Sequence, residues 1–327
     1  MSRTRDNIDD YRRLCIDCGE CRDVCPSYRL GGCDPLAVMK GDNSRVFGCI
    51  GCGNCSRACP ETDPKIVMLA AYSIMLDRPV SQAFLDTGLS RYVSEDAPGK
   101  DLEPVWDGDD VYVMPGCVAK CEVPYVVYAT SAALKGMGIH ASELPDFTCC
   151  MYPIQFGGMD DDEREGYIKR MGETAGDRPL VTLCGGCSEI MNRHGTECQH
   201  LIPFLHANMD RLPRIGGNLK VSVEPGCAAI EYRDMMAEIV GRMGCEPVGN
   251  EPGCCGKNVR DISTILMRER QEAASDADAI VVGCPMCQAK YDAFPEGKPV
   301  MYLAELVAAA FGDRTSLACH RIPVPDF

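Results

Sequence analysis

Positive charge, long apolar runs and nucleotide-binding fingerprints are what this chain lacks. Its 327 residues carry 33 Lys and Arg against 48 Asp and Glu, a formal net charge of −15. That balance excludes a general affinity for nucleic acid or an anionic membrane surface, both of which need a basic field. It suits docking to selected protein partners, and it means that an anionic substrate would need Lys or Arg placed at its own site. No run reaches 18 apolar residues. The longest candidate, 66–76, is too short to span a bilayer. The start, MSRTRDNIDDYRR, is charged and has no apolar core of a signal peptide. The expectation is a cytoplasmic protein with any membrane link made through a partner. Gly-x-Gly-x-x-Gly and P-loop patterns are missing too, so no flavin or nucleotide is expected on this chain. Aromatics make up only 6%, with one Trp106, yet 46% of the residues are hydrophobic, enough for sizeable cores.

What is abundant is cysteine, 23 in all. Disulfide frameworks belong to short exported chains, and this sequence is long and without an export signal. Thiolates held by metal are the alternative. Cys15, Cys18, Cys21 and Cys25-Pro26 form C-x2-C-x2-C-x3-C-P, and Cys49, Cys52, Cys55 and Cys59-Pro60 repeat it. In this pattern three cysteines wrap one cubane 4Fe-4S cluster and the fourth reaches the other. Cys15, Cys18, Cys21 and Cys59 are therefore expected to hold the first cubane, and Cys49, Cys52, Cys55 and Cys25 the second. Structural zinc takes four thiolates but has no use for the doubled pattern. Cys33 is left over, as a packed or free thiol. The helical-looking intervals 35–40 and 64–76 favour an α-helical two-cluster ferredoxin.

Beyond an acidic, Pro- and Gly-rich stretch at 94–110, the composition changes to strand–helix alternation, and it does so twice. VYVMPGC closes on Cys117 and VSVEPGC on Cys227. A Cys-Cys pair follows in each copy, Cys149-Cys150 and Cys254-Cys255. A strand then runs into Cys-x-x-Cys, at Cys184 and Cys187 and at Cys284 and Cys287. The alternation predicts α/β lobes with parallel sheets, whose strand ends would bring all three cysteine elements to one point per lobe. The expected layout is a ferredoxin domain at 1–95, a linker at 96–110, one lobe at 111–215 and a second at 216–327. Five cysteines are too many for a closed zinc site or a simple cube, and adjacent cysteines make a poor disulfide. The residues point to an unusual polynuclear iron–sulfur centre in each lobe.

The duplicated C-x(n)-C-C-x(n)-C-x-x-C resembles the cysteine-rich (CCG) domains of heterodisulfide reductase, an enzyme of methanogenesis. The first part resembles the C subunit, the rest the B subunit, and the fusion is like the D subunit. The resemblance implies two noncubane 4Fe-4S clusters, held by Cys117, Cys149, Cys150, Cys184 and Cys187 and by Cys227, Cys254, Cys255, Cys284 and Cys287. It also implies reduction of the mixed disulfide of coenzyme M and coenzyme B, with electrons from the cubanes. The donor would be another protein: a flavoprotein, a dehydrogenase or hydrogenase, or a cytochrome b. The same domain occurs in non-catalytic iron–sulfur subunits of flavin-dependent 2-hydroxyacid and glycerol-3-phosphate dehydrogenases, which is the alternative reading. One departure stands out. The second copy reads Cys254-Cys255-Gly256, whereas the first reads Cys149-Cys150-Met151. Lys257, with Lys120, Arg260 and Lys290, is a candidate for the substrate's anionic groups. His194, His200 and His206 are candidate proton donors. For each of these seven the plainer reading is a packed or surface side chain. Cys121, four residues after Cys117, is expected to be a buried structural thiol on the same helical face.

Overall fold

The computed structural model describes residues 3–76, 96–152, 161–249, 251, 253–257 and 259–327. Residues 94 and 95, at the expected boundary between ferredoxin domain and linker, lie outside the described residues. The chain divides into two compact units. The first holds residues 1–86, 151–168 and 256–265; the second holds 87–150, 169–255 and 266–327.

The first unit is helical around its cysteine loops. Its longest helix, Pro64–Leu76, packs on Arg3–Arg13 and on the short helix Pro35–Met39. Val67, Met68, Ala70 and Ala71 of that helix close a small core with Ile8, Cys33, Val38, Met39 and Val46. Asp34 starts Pro35–Met39 as an N-cap, accepting from the Ala37 N–H at 3.1 Å, with Pro35 at the first helical position. No described helix is long and apolar enough to cross a membrane.

The second unit contains two four-stranded parallel sheets of the same strand order. In one, β1 (Val111–Met114), β2 (Ala141–Glu143), β3 (Leu180–Thr182) and β4 (Gln199–His200) lie in the order β2-β1-β3-β4. In the other, β5 (Lys220–Glu224), β6 (Glu246–Val248), β7 (Ala279–Val282) and β8 (Val300–Tyr302) lie as β6-β5-β7-β8. Central parallel strands are covered on both faces and so read as continuous apolar runs. AIVV of β7 is an example, with all four residues fully buried. Each such Val or Ile contributes roughly 1.5–3 kcal/mol by leaving water. The alternation read from the sequence thus corresponds to two parallel sheets, as expected.

One apolar core serves both sheets. Helix Leu303–Ala310, which follows β8, packs on Tyr125–Gly136 of the first copy, and Leu201–Ala207, which follows β4, packs on Arg233–Arg242 of the second. The stretch 96–110 has no helix or strand, but it is held to the first sheet. The Asp107 and Gly108 N–H groups donate to the Ala141 carbonyl at 3.2 and 3.3 Å, and Trp106 packs on the core.

The chain's end is pinned by a buried charge. His320 lies between Glu305, 3.0 Å from Nε2, and Asp292, 3.2 Å from Nδ1, and its side chain is fully buried. Burial alone would lower its pKa; the two carboxylates win, and it rises to about 10. The unfolded value is near 6.5. A raised folded value means that this contribution is complete below about pH 6.5 and is lost as pH climbs through about 10. We expect the urea midpoint to fall between pH 7 and pH 10, and His320→Gln to be less stable at pH 7 and to remove most of that slope.

Candidate iron–sulfur sites

The local structure of each cysteine loop follows from its sequence. Cys25 is the N-cap of helix Pro26–Arg29, and its sulfur accepts from the Tyr28 N–H at 3.4 Å. In the other loop the Gly51 N–H points at the Cys49 sulfur, also at 3.4 Å. Amides aimed at sulfur favour the thiolate form. The loops exchange their fourth members. Cys21 lies with Cys15, Cys18 and Cys59, and burial followed by those neighbours pushes its thiol to about 11. Cys55 lies with Cys49, Cys52 and Cys25, and burial followed by those neighbours holds it well above 9.0. Both quartets expected from spacing are therefore gathered, each drawing on both loops.

Cys33 is not a bystander. Its thiol hydrogen-bonds to Cys49 and lies 3.8 Å from the Met68 sulfur. Cys49 is drawn down to about 7, chiefly by that bond and against its burial, helped by the Gly51 amide and by Lys257 and Lys65. Spacing could not reveal this, because Cys33 belongs to neither motif. Its one sequence signal is that it lies between them in a chain where most thiols have a task.

In the second unit the ten cysteines form one continuous line of neighbouring thiols. Cys117 meets Cys149, which meets Cys150. Cys150 meets Cys187, and Cys187 meets Cys184. Cys184 meets Cys284, Cys284 meets Cys287, and Cys287 meets Cys255. Cys255 meets Cys254, and Cys254 meets Cys227. The second half repeats the first in reverse, and Cys184 and Cys284 form the junction. Among the described residues no three thiols, imidazoles or carboxylates converge on the single point of a mononuclear ion.

The backbone is shaped to permit this approach. Each Pro-Gly-Cys places its glycine at positive φ, 85° at Gly116 and 92° at Gly226. A Cβ on Gly226 would lie 2.7 Å from the Cys284 Cβ, and one on Gly116 would lie 3.2 Å from the Cys187 sulfur. Cys184 and Cys284 are N-caps of helices Gly185–Arg193 and Pro285–Asp292, at the carboxyl ends of β3 and β7. The junction is closed from both sheets. The Tyr302 hydroxyl, at the end of β8, donates to the Leu183 carbonyl at 2.7 Å. His200, at the end of β4, lies beside the backbone of Gly283 and Leu183. The Ile202 N–H donates to its Nδ1 at 3.2 Å, which assigns the proton of the neutral ring to Nε2. Burial lowers its pKa to about 4. Among the described residues the buried Nε2 has no hydrogen-bond partner of normal geometry.

Met151 explains the departure from Cys-Cys-Gly. It holds φ at 53°, as Gly256 holds 77° in the other copy. A Cβ on Gly256 would lie 2.5 Å from the Ser263 Cα, so that copy needs glycine. The first copy tolerates methionine in the same left-handed region. There the Met151 carbonyl accepts from the buried Arg164 Nε at 2.8 Å.

Of the candidate cations, Lys120 pairs with Glu143 and Arg260 is exposed. Lys290 faces Glu122, whose carboxyl is pushed up by burial and pulled back by that ammonium. Lys257 donates to the Gly51 carbonyl at 3.4 Å and sits 4.6 Å over the Tyr152 ring. His206 pairs with Glu238 at 2.7 Å, and His194 caps the end of helix Gly185–Arg193. Cys121 is buried on the helix that starts at Cys117 and lies near that thiol, as its spacing suggests. Cys198 lies near Cys150, its sulfur held by the Asn192 amide at 3.5 Å.

Two family models match the segments that carry these cysteines. Residues 7–60 match the 4Fe-4S dicluster domain, and residues 111–192 and 221–291 match the cysteine-rich domain. The B subunit of the ferredoxin/F(420)H(2)-dependent CoB-CoM heterodisulfide reductase of Methanosarcina acetivorans is 24% identical over 263 residues, covering 60% of this chain and 87% of that protein. The chain thus joins a segment matching the 4Fe-4S dicluster domain to two segments matching the cysteine-rich domain, a fusion like that of the D-type heterodisulfide reductase subunit.

Proposed function

We propose that this chain reduces the heterodisulfide of coenzyme M and coenzyme B to two thiols, at paired noncubane 4Fe-4S clusters fed by two cubanes. The observation that carries the reading is the line of ten thiols with Cys184 beside Cys284 at its centre. The donor sets fit the groups. Each lobe offers five soft sulfur ligands in a buried cradle that a single Cβ at Gly226 would fill. Cys117, Cys149, Cys150, Cys184 and Cys187 would hold one noncubane cluster, and Cys227, Cys254, Cys255, Cys284 and Cys287 the other. Cys15, Cys18, Cys21 and Cys59, and Cys49, Cys52, Cys55 and Cys25, would hold the cubanes. When bound, such clusters supply electrons one at a time and iron that accepts sulfur.

The protein's own residues supply the rest. The shared strand order and the reversed line of thiols support lobes related by a pseudo-two-fold passing between Cys184 and Cys284. That arrangement presents two equivalent sulfur-binding positions to the two halves of one disulfide. Tyr302 holds the backbone beside Cys184 through the Leu183 carbonyl, and the buried His200 ring lies beside Gly283, next to Cys284. Reduction takes up two electrons and two protons, breaks the S–S bond and releases both thiols. Electrons would come from a partner subunit in the cytoplasm.

The test uses the iron-loaded chain, reduced viologen dye and the heterodisulfide. We expect about sixteen irons per chain, dye oxidation that requires the heterodisulfide, and loss of that oxidation in Cys184→Ser and Cys284→Ser. A fully loaded chain that does not oxidise the dye would support instead a non-catalytic electron-transfer subunit of a flavin-dependent dehydrogenase.

A further inference from the structure

We propose that Lys257 and Lys65 raise the reduction potential of the second cubane above that of the first, giving electron flow through the ferredoxin unit a built-in direction. The inference rests on the assignment of Cys49, Cys52, Cys55 and Cys25 to that cubane, and it extends that assignment to the residues that tune it.

The two cysteine loops lie in opposite electrostatic surroundings. Around the second loop the charges acting on Cys49 are the ammoniums of Lys257 and Lys65, while the carboxylate of Asp63 is bonded by the Ser56 hydroxyl that follows Cys55. Lys257 reaches the Gly51 carbonyl at 3.4 Å. Lys65, only 7% exposed, lies against Gly53, where a Cβ would meet its Nζ at 3.7 Å. Arg57 donates to the Cys52 carbonyl at 3.2 Å. The carboxylate that faces Cys25 is Asp34, and it is held by both Arg22 donors, at 3.1 and 2.8 Å. Around the first loop the balance is reversed. Asp17 and Glu20 sit inside the loop, Asp23 follows it, and the cations Arg13, Arg22 and Lys40 are paired with Asp10, Asp34 and Asp17. Solvent exposure differs at one ligand, while Cys21 of the first loop, at 6%, is as buried as Cys52 of the second. Cys18 is exposed, flanked by Leu14 at 54% and Ile16 at 62% exposure, whereas Cys52 is 7% exposed.

Lys257 is placed there by the backbone. It holds φ at 45°, a conformation that a non-glycine residue adopts at a cost of about 1 kcal/mol or more. Its ammonium also sits over the Tyr152 face, which attracts a cation. In sequence it follows Cys255 by two residues, so the segment bearing the second Cys-Cys pair also supplies the charge at the second cubane. This assigns Lys257 to that cubane rather than to a substrate anion.

One-electron reduction adds a negative charge without forming or breaking a bond, so a nearby cation favours the reduced form. At an effective dielectric of about 20, one ammonium about 12 Å from the added charge shifts the equilibrium by about tenfold, which is ~59 mV for one electron.

The test is an EPR-monitored titration of the iron-loaded chain with dithionite as reductant. Cys18→Ser marks the signal of the first cubane. We expect Lys257→Met to lower the second cubane's midpoint by about tenfold in the equilibrium, ~59 mV, while Lys257→Arg restores it and the first cubane does not move. The exposed Arg260→Met should move neither. Unchanged midpoints in Lys257→Met at full iron content would overturn the inference and leave the cluster assignment standing. Absence of both cubane signals from the loaded wild-type chain would overturn the assignment and the inference together.

Discussion

Replacing Arg270 by Met is expected to lower the unfolding free energy by about 3–5 kcal/mol. Glu224 ends β5, is 2% exposed, and has its carboxylate held by the Arg270 guanidinium, whose Nε donates at 3.0 Å. Its other oxygen accepts from the Gly253 N–H at 3.4 Å, the residue before Cys254. Burial pushes this carboxyl's pKa up, and Arg270 is the principal opposing influence. Without that guanidinium the buried charge keeps only the weak Gly253 amide and the more distant Arg233, and it must protonate or admit water. The β1 strand shows the other solution: Met114 ends it, fully buried, with no charge to match. Glu224→Met combined with Arg270→Met should therefore recover most of the loss, because removing both charges removes the desolvation cost along with the attraction. The urea midpoints of wild type, the two single variants and the double variant form the measurement. A double variant no more stable than Arg270→Met would show that the pair acts by something other than charge burial. The same ion pair makes the two lobes unequal behind their cysteines, since only the second anchors its Cys-Cys loop through a carboxylate at its strand end.

The sequence showed the sites better than the contacts that organise them. Cysteine spacing is local chemistry, so the exchange of Cys25 and Cys59 between loops could be read directly, as could the strands ending on Pro-Gly-Cys. Parallel strands were legible because their apolar runs are short and end at glycine. The contact between Cys184 and Cys284 was not legible, because no periodicity links residues a hundred positions apart. Nor was the Cys33 bond to Cys49, which depends on how helix Pro64–Leu76 closes its core. Lys257 illustrates the same limit. A lysine beside a cysteine motif suggests an anion, but its left-handed backbone turns the side chain toward Gly51. Met151 is the reverse case. The first copy departs from Cys-Cys-Gly, yet its backbone keeps the glycine-like φ.

Gly226→Ala is expected to remove the second noncubane site while leaving the first three clusters in place. At φ 92° an added Cβ is strained before any contact is considered. It would also fall 2.7 Å from the Cys284 Cβ, an atom that cannot move without moving the start of helix Pro285–Asp292. The strand exit must shift instead, and Cys227, the next residue, shifts with it. A displaced Cys227 cannot complete the five-sulfur set, so iron content should fall by about four atoms per chain, with stability reduced by about 1–3 kcal/mol. Gly116→Ala is the informative comparison. There the Cβ meets the Cys187 sulfur at 3.2 Å and the Cys184 Cβ only at 3.8 Å. A terminal sulfur can swing aside, so folding should suffer less. That sulfur is nonetheless a proposed ligand, so the first site should lose affinity for its cluster rather than its shape. Iron analysis and urea unfolding on the two variants separate these effects. If the Pro-Gly-Cys turns serve the clusters, both variants lose iron but only Gly226→Ala loses substantial stability. Equal iron content in both variants and wild type would mean that the turns serve the sheet alone, and that the thiols are brought together for another purpose.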